Sequence, residues 1–228
     1  MVFLLWLLIN SFLFLYEYNP LPILAPSTQT FGGVPMRNES IRYLIVPGWQ
    51  GSPDNHWQSH WQRSLPNSAR VEQHDWLTPQ RRDWVQALEQ AIAAERSPVI
   101  LIAHSLGCVT VAHWAAQASP SLLRRVRGAL LVAPADVERP SCAPALRNFA
   151  PIPLQTLPFP SQVVSSDNDP AVSVPRALYL ARAWGAEAGL LASAGHINVK
   201  SGHERWEQGF AYLYRLQARV DQRALRRA

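Results

Sequence analysis

Apolar residues along this chain fall into short runs that are separated by segments with a helical pattern. The runs are almost continuously apolar and lack the alternation of a half-exposed strand, which is typical of strands covered on both faces. The strand-like runs are IRYLIVP (41–47), which we interpret as a buried strand, SARVEQ (68–73), which we interpret as a short one, and PVILIA (98–103), GALLVAP (128–134), SQVVSS (161–166) and AGLLAS (188–193). We therefore predict six strands.

Helical patterns lie between these strands. In TPQRRDWVQALEQAIAAE (78–95), Thr78 is the candidate N-cap and Pro79 the first helical residue. An apolar stripe at spacing i, i+4, i+8 follows in the same segment, formed by Trp84, Leu88 and Ile92. Strands that alternate with helices predict an α/β fold, with a mostly parallel six-stranded sheet, helices on both faces and right-handed crossovers.

Two regions depart from this alternation. The proline-rich segment 136–160 lies between two predicted strands and is interpreted as a short cap insertion. Residues 1–36 form an apolar N-terminal extension that we place outside the fold. We therefore predict one α/β domain over 37–220, followed by a basic C-terminal tail, 221–228.

The extension begins with MVFLLWLLINSFLFLY, which is shorter than the roughly 20 apolar residues of a membrane span. It also lacks the basic start and the small-residue cleavage site of a signal peptide. A short anchor, an atypical signal segment and upstream sequence ahead of a start at Met36 all stay open. We favour the start at Met36, and predict membrane association only if residues 1–16 act as an anchor.

Composition adds limits on compartment and partners. The chain has 228 residues, 48% hydrophobic and 16% charged, which is typical of a globular protein. Its two cysteines, Cys108 and Cys142, indicate free thiols and a cytoplasmic location, unless the N-terminal segment directs export or anchoring. The net charge of +5 comes partly from arginines near the C-terminus. No aromatic residues interleave them, so we predict no nucleic-acid binding.

A serine stands where the third predicted strand passes into a helix. In Ala103-His104-Ser105-Leu106-Gly107, small residues lie two positions before and two after Ser105. A nucleophile elbow needs small residues there because the strand and helix backbones pass very close. Alanine replaces the usual first glycine. We predict that Ser105 is a catalytic nucleophile rather than a helix N-cap.

Such a serine needs a base and an orienting carboxylate, in the chain order Ser, Asp or Glu, His. His196 follows the sixth strand in SAGHIN and is the candidate base, with His203 as its rival. Asp169, in SSDNDP after the fifth strand, is the preferred carboxylate. Asp167 and Asp136 stay open as alternatives.

Backbone amides must also bind the oxyanion of a tetrahedral intermediate. We assign one donor to Leu106, at the start of the elbow helix, and the second to Trp49 in the loop PGWQGSPDNHW. Gly48 permits a close backbone approach in that loop. Gly48 and Gln50 are assigned to substrate binding.

Five blocks in this order resemble the small α/β-hydrolase-fold serine hydrolases of the retinoblastoma-binding protein nine type. The blocks are LIVPGWQGSPDNHWQSHWQ, AHSLGCVTVAHW, LVAPAD, SSDNDP and AGHIN, and the similarity runs from about residue 41 to 215. The resemblance implies a compact fold without a cofactor and a triad of Ser105, Asp169 and His196. The resemblance implies the reaction type, that of a serine hydrolase, but not a particular substrate.

Other features of the sequence do not indicate a metal site or a nucleotide site. His56 and His60 are spaced i, i+4, but Trp57 replaces the glutamate of a zinc motif and a third ligand is not evident, so no metal is predicted. Cys108 is interpreted as a buried residue of the elbow helix. No nucleotide-binding glycine motif occurs.

We predict an esterase-like hydrolase that acts on a small-molecule ester, thioester or amide. The alternatives are a non-catalytic binding protein and an acyltransferase with the same triad.

Overall fold

The computed structural model describes residues 41–226, which form one sheet with helices packed on it. The strands are β1 (Arg42–Val46), β2 (Ser68–Arg70), β3 (Val99–His104), β4 (Val126–Val132), β5 (Ser161–Ser166) and β6 (Glu187–Leu191). The helices are α1 (Trp57–Ser64), α2 (Arg81–Ala94), α3 (Leu106–Gln117), α4 (Pro120–Leu123), α5 (Val174–Ala183) and α6 (Phe210–Leu225).

All six strands are parallel, in the order β2-β1-β3-β4-β5-β6. The predicted α/β fold and its six-stranded parallel sheet are therefore confirmed. Val46 pairs with Ala103, and His104 pairs with Val132, so the carboxyl ends of the central strands meet at one edge. The loops that follow β1, β3, β5 and β6 open at that edge, where ligands bind in sheets of this type.

The sheet separates two apolar cores. On one face, Leu44, Leu101 and Leu131 pack with residues of α2, α3 and α5. On the other face, Ile45 and Ile102 pack with residues of α1 and α6. Successive residues of the central strands thus contribute to opposite cores, which explains the consecutive apolar residues in β1, β3 and β4. Helices on both faces are confirmed.

Two helix boundaries differ from the predictions. Helix α2 begins at Arg81 rather than at Pro79, because the Asp75 carboxylate accepts the backbone N–H groups of Leu77 and Thr78 and holds Thr78 in a turn. The predicted apolar stripe of that helix is buried as expected. Helix α6 extends to Leu225, so residues 221–225 belong to the last helix rather than to a separate tail.

The proline-rich insertion 136–160 contains one 3₁₀ turn, Pro144–Phe149. Phe149 and Ile152 are buried in the core that also holds α2 and α3, so the insertion is packed onto the domain. The predictions for residues 1–36 lie outside the described residues. Across residues 41–226, no helix combines the length and apolar character needed to span a bilayer.

Candidate active site

Ser105 occupies a strained turn between β3 and α3. Its backbone angles are φ 54° and ψ −119°, a conformation that residues other than glycine rarely adopt. A Cβ atom at Gly107 would lie 2.4 Å from the carbonyl oxygen of Val46 and 2.7 Å from that of Pro47. The absence of a side chain at residue 107 therefore lets α3 start directly against the end of β1, which turns Ser105 outward.

The loop after β1 lies against this turn. A Cβ atom at Gly48 would lie 2.8 Å from the Cβ atom of Ser105 and 3.4 Å from the nitrogen of Leu106. Gly48 is buried and packs behind Ser105, whereas Gln50 is exposed and lines the cavity in front of it. Of the two residues assigned to substrate binding, only Gln50 thus faces that cavity.

Ser105, His196 and Asp169 form a continuous hydrogen-bonded chain. The Nε2 atom of His196 lies 2.8 Å from the Oγ atom of Ser105. On the other side of the ring, Nδ1 lies 2.9 Å from each carboxylate oxygen of Asp169. The Asp169 side chain is fully buried, and its Oδ1 atom also accepts the N–H of Ala171 at 2.7 Å. This geometry matches the relation of nucleophile, base and orienting acid in a serine triad.

The rival candidates have other partners. The Nδ1 atom of His203 lies 3.2 Å from the Oγ atom of Ser201, in the connection between β6 and α6. The Asp167 carboxylate accepts the N–H of Ser193 at 2.7 Å. Asp136 forms an ion pair with Arg176, with Oδ1 and Nε 3.5 Å apart. None of these three side chains bonds to Ser105 or His196 among the described residues.

Two buried ring N–H groups hold the loop that carries His196. The Nε2 atom of His104 donates to the carbonyl oxygen of His196 at 2.9 Å, and Nε1 of Trp57 donates to the carbonyl oxygen of Ile197 at 2.9 Å. Ile197 has φ 46°, an unusual conformation for a β-branched residue. The loop is therefore held in a strained geometry by fixed donors from β3 and α1.

His104 and His56 are neutral at physiological pH. Burial lowers the pKa of His56 to about 3, with smaller contributions from the charges of Arg70 and His196. Burial also lowers the pKa of His104 well below its usual value, again helped by His196 and His56. The His56 ring caps α1 by accepting the N–H of Gln58 at Nδ1, so its proton is on Nε2.

Several backbone amides of the loop after β1 are already engaged. Gln50 N–H donates to the carbonyl of Trp76, and Gly51 N–H donates to that of Gly48. The Trp49 N–H has no acceptor within residues 41–226. The Leu106 N–H is at the first position of α3, where a helix provides no internal acceptor. Both predicted oxyanion donors are thus without an acceptor among the described residues.

A cavity of about 580 Å³ opens in front of Ser105 and His196. Its walls are mainly apolar and include Trp49 together with residues of the insertion, Val137, Ala143 and Leu146. Charged side chains at its rim are those of Asp136, Arg139 and Lys200. The cap insertion therefore forms part of the space in which a substrate would lie.

The remaining candidates are structural in this fold. His60 contacts Arg63 on α1 through its Nδ1 atom. Cys108 is fully buried, which raises the pKa of its thiol, so it is not a nucleophile. No cluster of three potential metal ligands occurs in the part of the chain that the structure describes.

Sequence analysis missed the contributions of His104, Trp57 and Asn168 to the site. Asn168 accepts the N–H of Gly195 at 2.7 Å and so connects the loop after β5 to the loop of the base. One signal was present: a histidine directly after an apolar strand is a polar residue in a buried position, and such groups need partners. Its partner is distant in the chain, so the pattern alone did not identify the contact.

A sequence model described as "Serine hydrolase" matches residues 43–215. The chain belongs to this serine hydrolase family. The match covers every element from β1 into α6 and includes Ser105, Asp169 and His196. A comparison with curated protein sequences gave no significant match.

Solved structures of hydrolases resemble this fold. A YdeN-like hydrolase from Pectobacterium atrosepticum is 34% identical over 79% of this chain and 92% of its own, with a TM-score of 0.69. The ydeN gene product of B. subtilis is 19% identical, over 78% of this chain and 100% of its own, with a TM-score of 0.65. The esterase domain of a Rhodothermus marinus protein is 16% identical, over 80% of this chain and 90% of its own, with a TM-score of 0.57.

These matches support a serine hydrolase with the α/β-hydrolase fold. The latter two structures are similar in fold alone. The narrower resemblance to the retinoblastoma-binding protein nine type stays a prediction.

Proposed function

We propose that this hydrolase cleaves a carboxylic ester, thioester or amide through an acyl-enzyme formed on Ser105. The observation that carries the proposal is the bond of 2.8 Å between Ser105 and His196, continued to the buried Asp169. A serine hydroxyl is a weak nucleophile until a base accepts its proton. His196 is oriented for that role because its other nitrogen is held by Asp169.

The reaction follows from these positions. The Oγ atom of Ser105 attacks the carbonyl carbon while its proton moves to Nε2 of His196. The resulting oxyanion accepts hydrogen bonds from the N–H groups of Leu106 and Trp49. When the intermediate collapses, the leaving group departs with the proton from His196. Water then attacks the acyl-enzyme while one of its protons moves to His196; His196 gives that proton to Oγ of Ser105 as the ester bond breaks, and the carboxylic acid leaves. Asp169 keeps the neutral imidazole in the correct tautomer and stabilises the transient imidazolium.

The cavity supports a small-molecule substrate with an apolar part. Val137, Ala143 and Leu146 of the insertion would contact that part, and Gln50 also lines the cavity. A cavity of about 580 Å³ is within the range of small-ligand sites.

The test is labelling with a fluorophosphonate probe, together with hydrolysis of p-nitrophenyl esters of increasing acyl length. Wild-type protein should label and turn over esters, and Ser105→Ala should do neither. Ser121→Ala, which removes an exposed serine from α4, is the matched control and should behave as wild type. A Ser105→Ala protein that labels like wild type would remove Ser105 as the nucleophile. A wild type that binds esters without releasing product would favour a binding protein.

A further inference from the structure

Three imidazole rings lie in a row beside the nucleophile. The rings of His56 and His104 have centroids 5.0 Å apart, and those of His104 and His196 have centroids 4.9 Å apart. His104 is thus packed between the N-cap of α1 and the proposed base. The triad does not use His104, although it immediately precedes Ser105 in the chain.

The contacts of His104 determine its protonation. A carbonyl oxygen can only accept, so the bond of 2.9 Å to the His196 carbonyl requires the proton of His104 on Nε2. His104 is 5% exposed, and a charge there would be buried beside the imidazolium that forms on His196. A neutral ring avoids that repulsion while it still provides a donor.

The same bond joins the nucleophile strand to the base loop. His104 is the last residue of β3, and its N–H contact fixes the backbone of the residue whose side chain reaches Ser105. Trp57 donates to the next carbonyl, that of Ile197, and the hydroxyl of Ser201 donates to that of Asn198. The distance between Oγ of Ser105 and Nε2 of His196 therefore depends on a bond made by the neighbour of the serine.

We propose that His104 is a positioning residue, whose neutral imidazole holds His196 at hydrogen-bond distance from Ser105. This inference rests on the proposed function, since it assigns His196 as the base. Small displacements of reacting groups reduce rates by up to about a hundredfold. Loss of the bond should therefore lower kcat by about tenfold to a hundredfold, with little change in KM.

The test compares three substitutions of residue 104. His104→Phe keeps a ring but removes the donor, and His104→Asn keeps an amide that is too short to reach the carbonyl. His104→Gln places its amide nitrogen close to the position of Nε2 and should restore most of the activity. The matched control is His60→Phe, which removes the side-chain contact of another histidine, from Nδ1 of His60 to Arg63 at 3.0 Å, on α1. It should leave kcat unchanged.

A spectroscopic readout separates positioning from stability. The Nδ1 proton of His196, held by Asp169, should give a downfield proton resonance in wild type and His104→Gln, and a shifted or broadened one in His104→Phe. Equal kcat and an unchanged resonance in folded His104→Phe, or in His104→Asn if the Phe variant does not fold, would overturn the proposal. A folded His104→Gln as impaired as His104→Phe would also overturn it. A wild type that neither labels nor turns over esters would instead contradict the proposed function.

Discussion

The Nε2 atom of His196 lies 2.8 Å from the Oγ atom of Ser105, although 91 positions separate the two residues in the chain. Each stands just after a strand of one parallel sheet, so both reach the same edge. The contact is supported from behind by Asp169 and from the side by His104.

Replacement of the proposed base should abolish turnover. His196→Ala removes the group that accepts the serine proton, whereas His203→Ala removes a ring that bonds only to Ser201 in the described structure. Ester hydrolysis should fall to background in the first variant and stay near wild type in the second. Equal losses in two folded variants would show that the assignment of the base is wrong.

Replacement of the proposed acid should slow the reaction without preventing folding. Asp169→Asn favours the wrong tautomer of His196, and the loss in a serine triad is on the order of 10⁴ in kcat. Asp167→Asn and Asp136→Asn should lose far less, because those carboxylates bond to Ser193 and Arg176. The measurement is kcat for one good ester substrate. If Asp136→Asn is the slowest of the three, the acid belongs to the loop after β4.

A side chain at Gly107 should disrupt the elbow. In Gly107→Ala the new methyl group would meet the carbonyl oxygens of Val46 and Pro47, which are backbone atoms and cannot move aside easily. We expect a loss of about 3 kcal/mol in the free energy of unfolding, the upper end for overpacking. Chemical denaturation measures it.

The matched control for the elbow is Gly202→Ala. No atom lies within 4 Å of a Cβ at this position, but its backbone is left-handed, with φ 80°. Gly202→Ala should lower the free energy of unfolding by only about 1 kcal/mol. Equal stabilities of the two variants would contradict the close packing at Gly107.

Acid should destabilise the fold partly through His56. The pKa of His56 is about 3 in the folded chain and about 6.5 in an unfolded one, because burial disfavours the charged ring. Between these values the unfolded chain binds the extra proton, so the free energy of unfolding falls as the pH falls. His104 acts in the same direction.

His56→Asn isolates this effect, since asparagine also caps helices but does not titrate. Between pH 6 and 4, unfolding free energy should fall less steeply in this variant, by up to about 1.4 kcal/mol per pH unit. Any packing loss appears as a constant offset at pH 8 and does not alter the slope. Parallel stability curves for the variant and wild type would exclude His56 as the titrating group.

The hydrophobic pattern determined most of the fold. The predicted run at 98–103 corresponds to β3 within one residue, because a strand covered on both faces is apolar along its length. The predicted run at 161–166 corresponds to β5, although its buried residues include Ser161, Gln162, Ser165 and Ser166. The predicted start of α2, at Pro79, was wrong by two residues, since the helix begins at Arg81. A turn held by Asp75 competes there with a helix start at Pro79, and the sequence does not show which hydrogen bond is preferred.

The sequence alone predicted that Ser105 lies in a strand-to-helix turn, because the small-residue pattern at such a junction has a local steric cause. The sequence already favoured His196 over His203, and Asp169 over Asp167 and Asp136, but it left the rivals open; the tertiary structure adds which of these side chains hydrogen-bond to one another. All five lie in loops with similar local patterns, and only the three-dimensional course of the chain decides which side chains converge. His104 shows the same limit: its role depends on a carbonyl 92 residues away, a contact that no local pattern encodes.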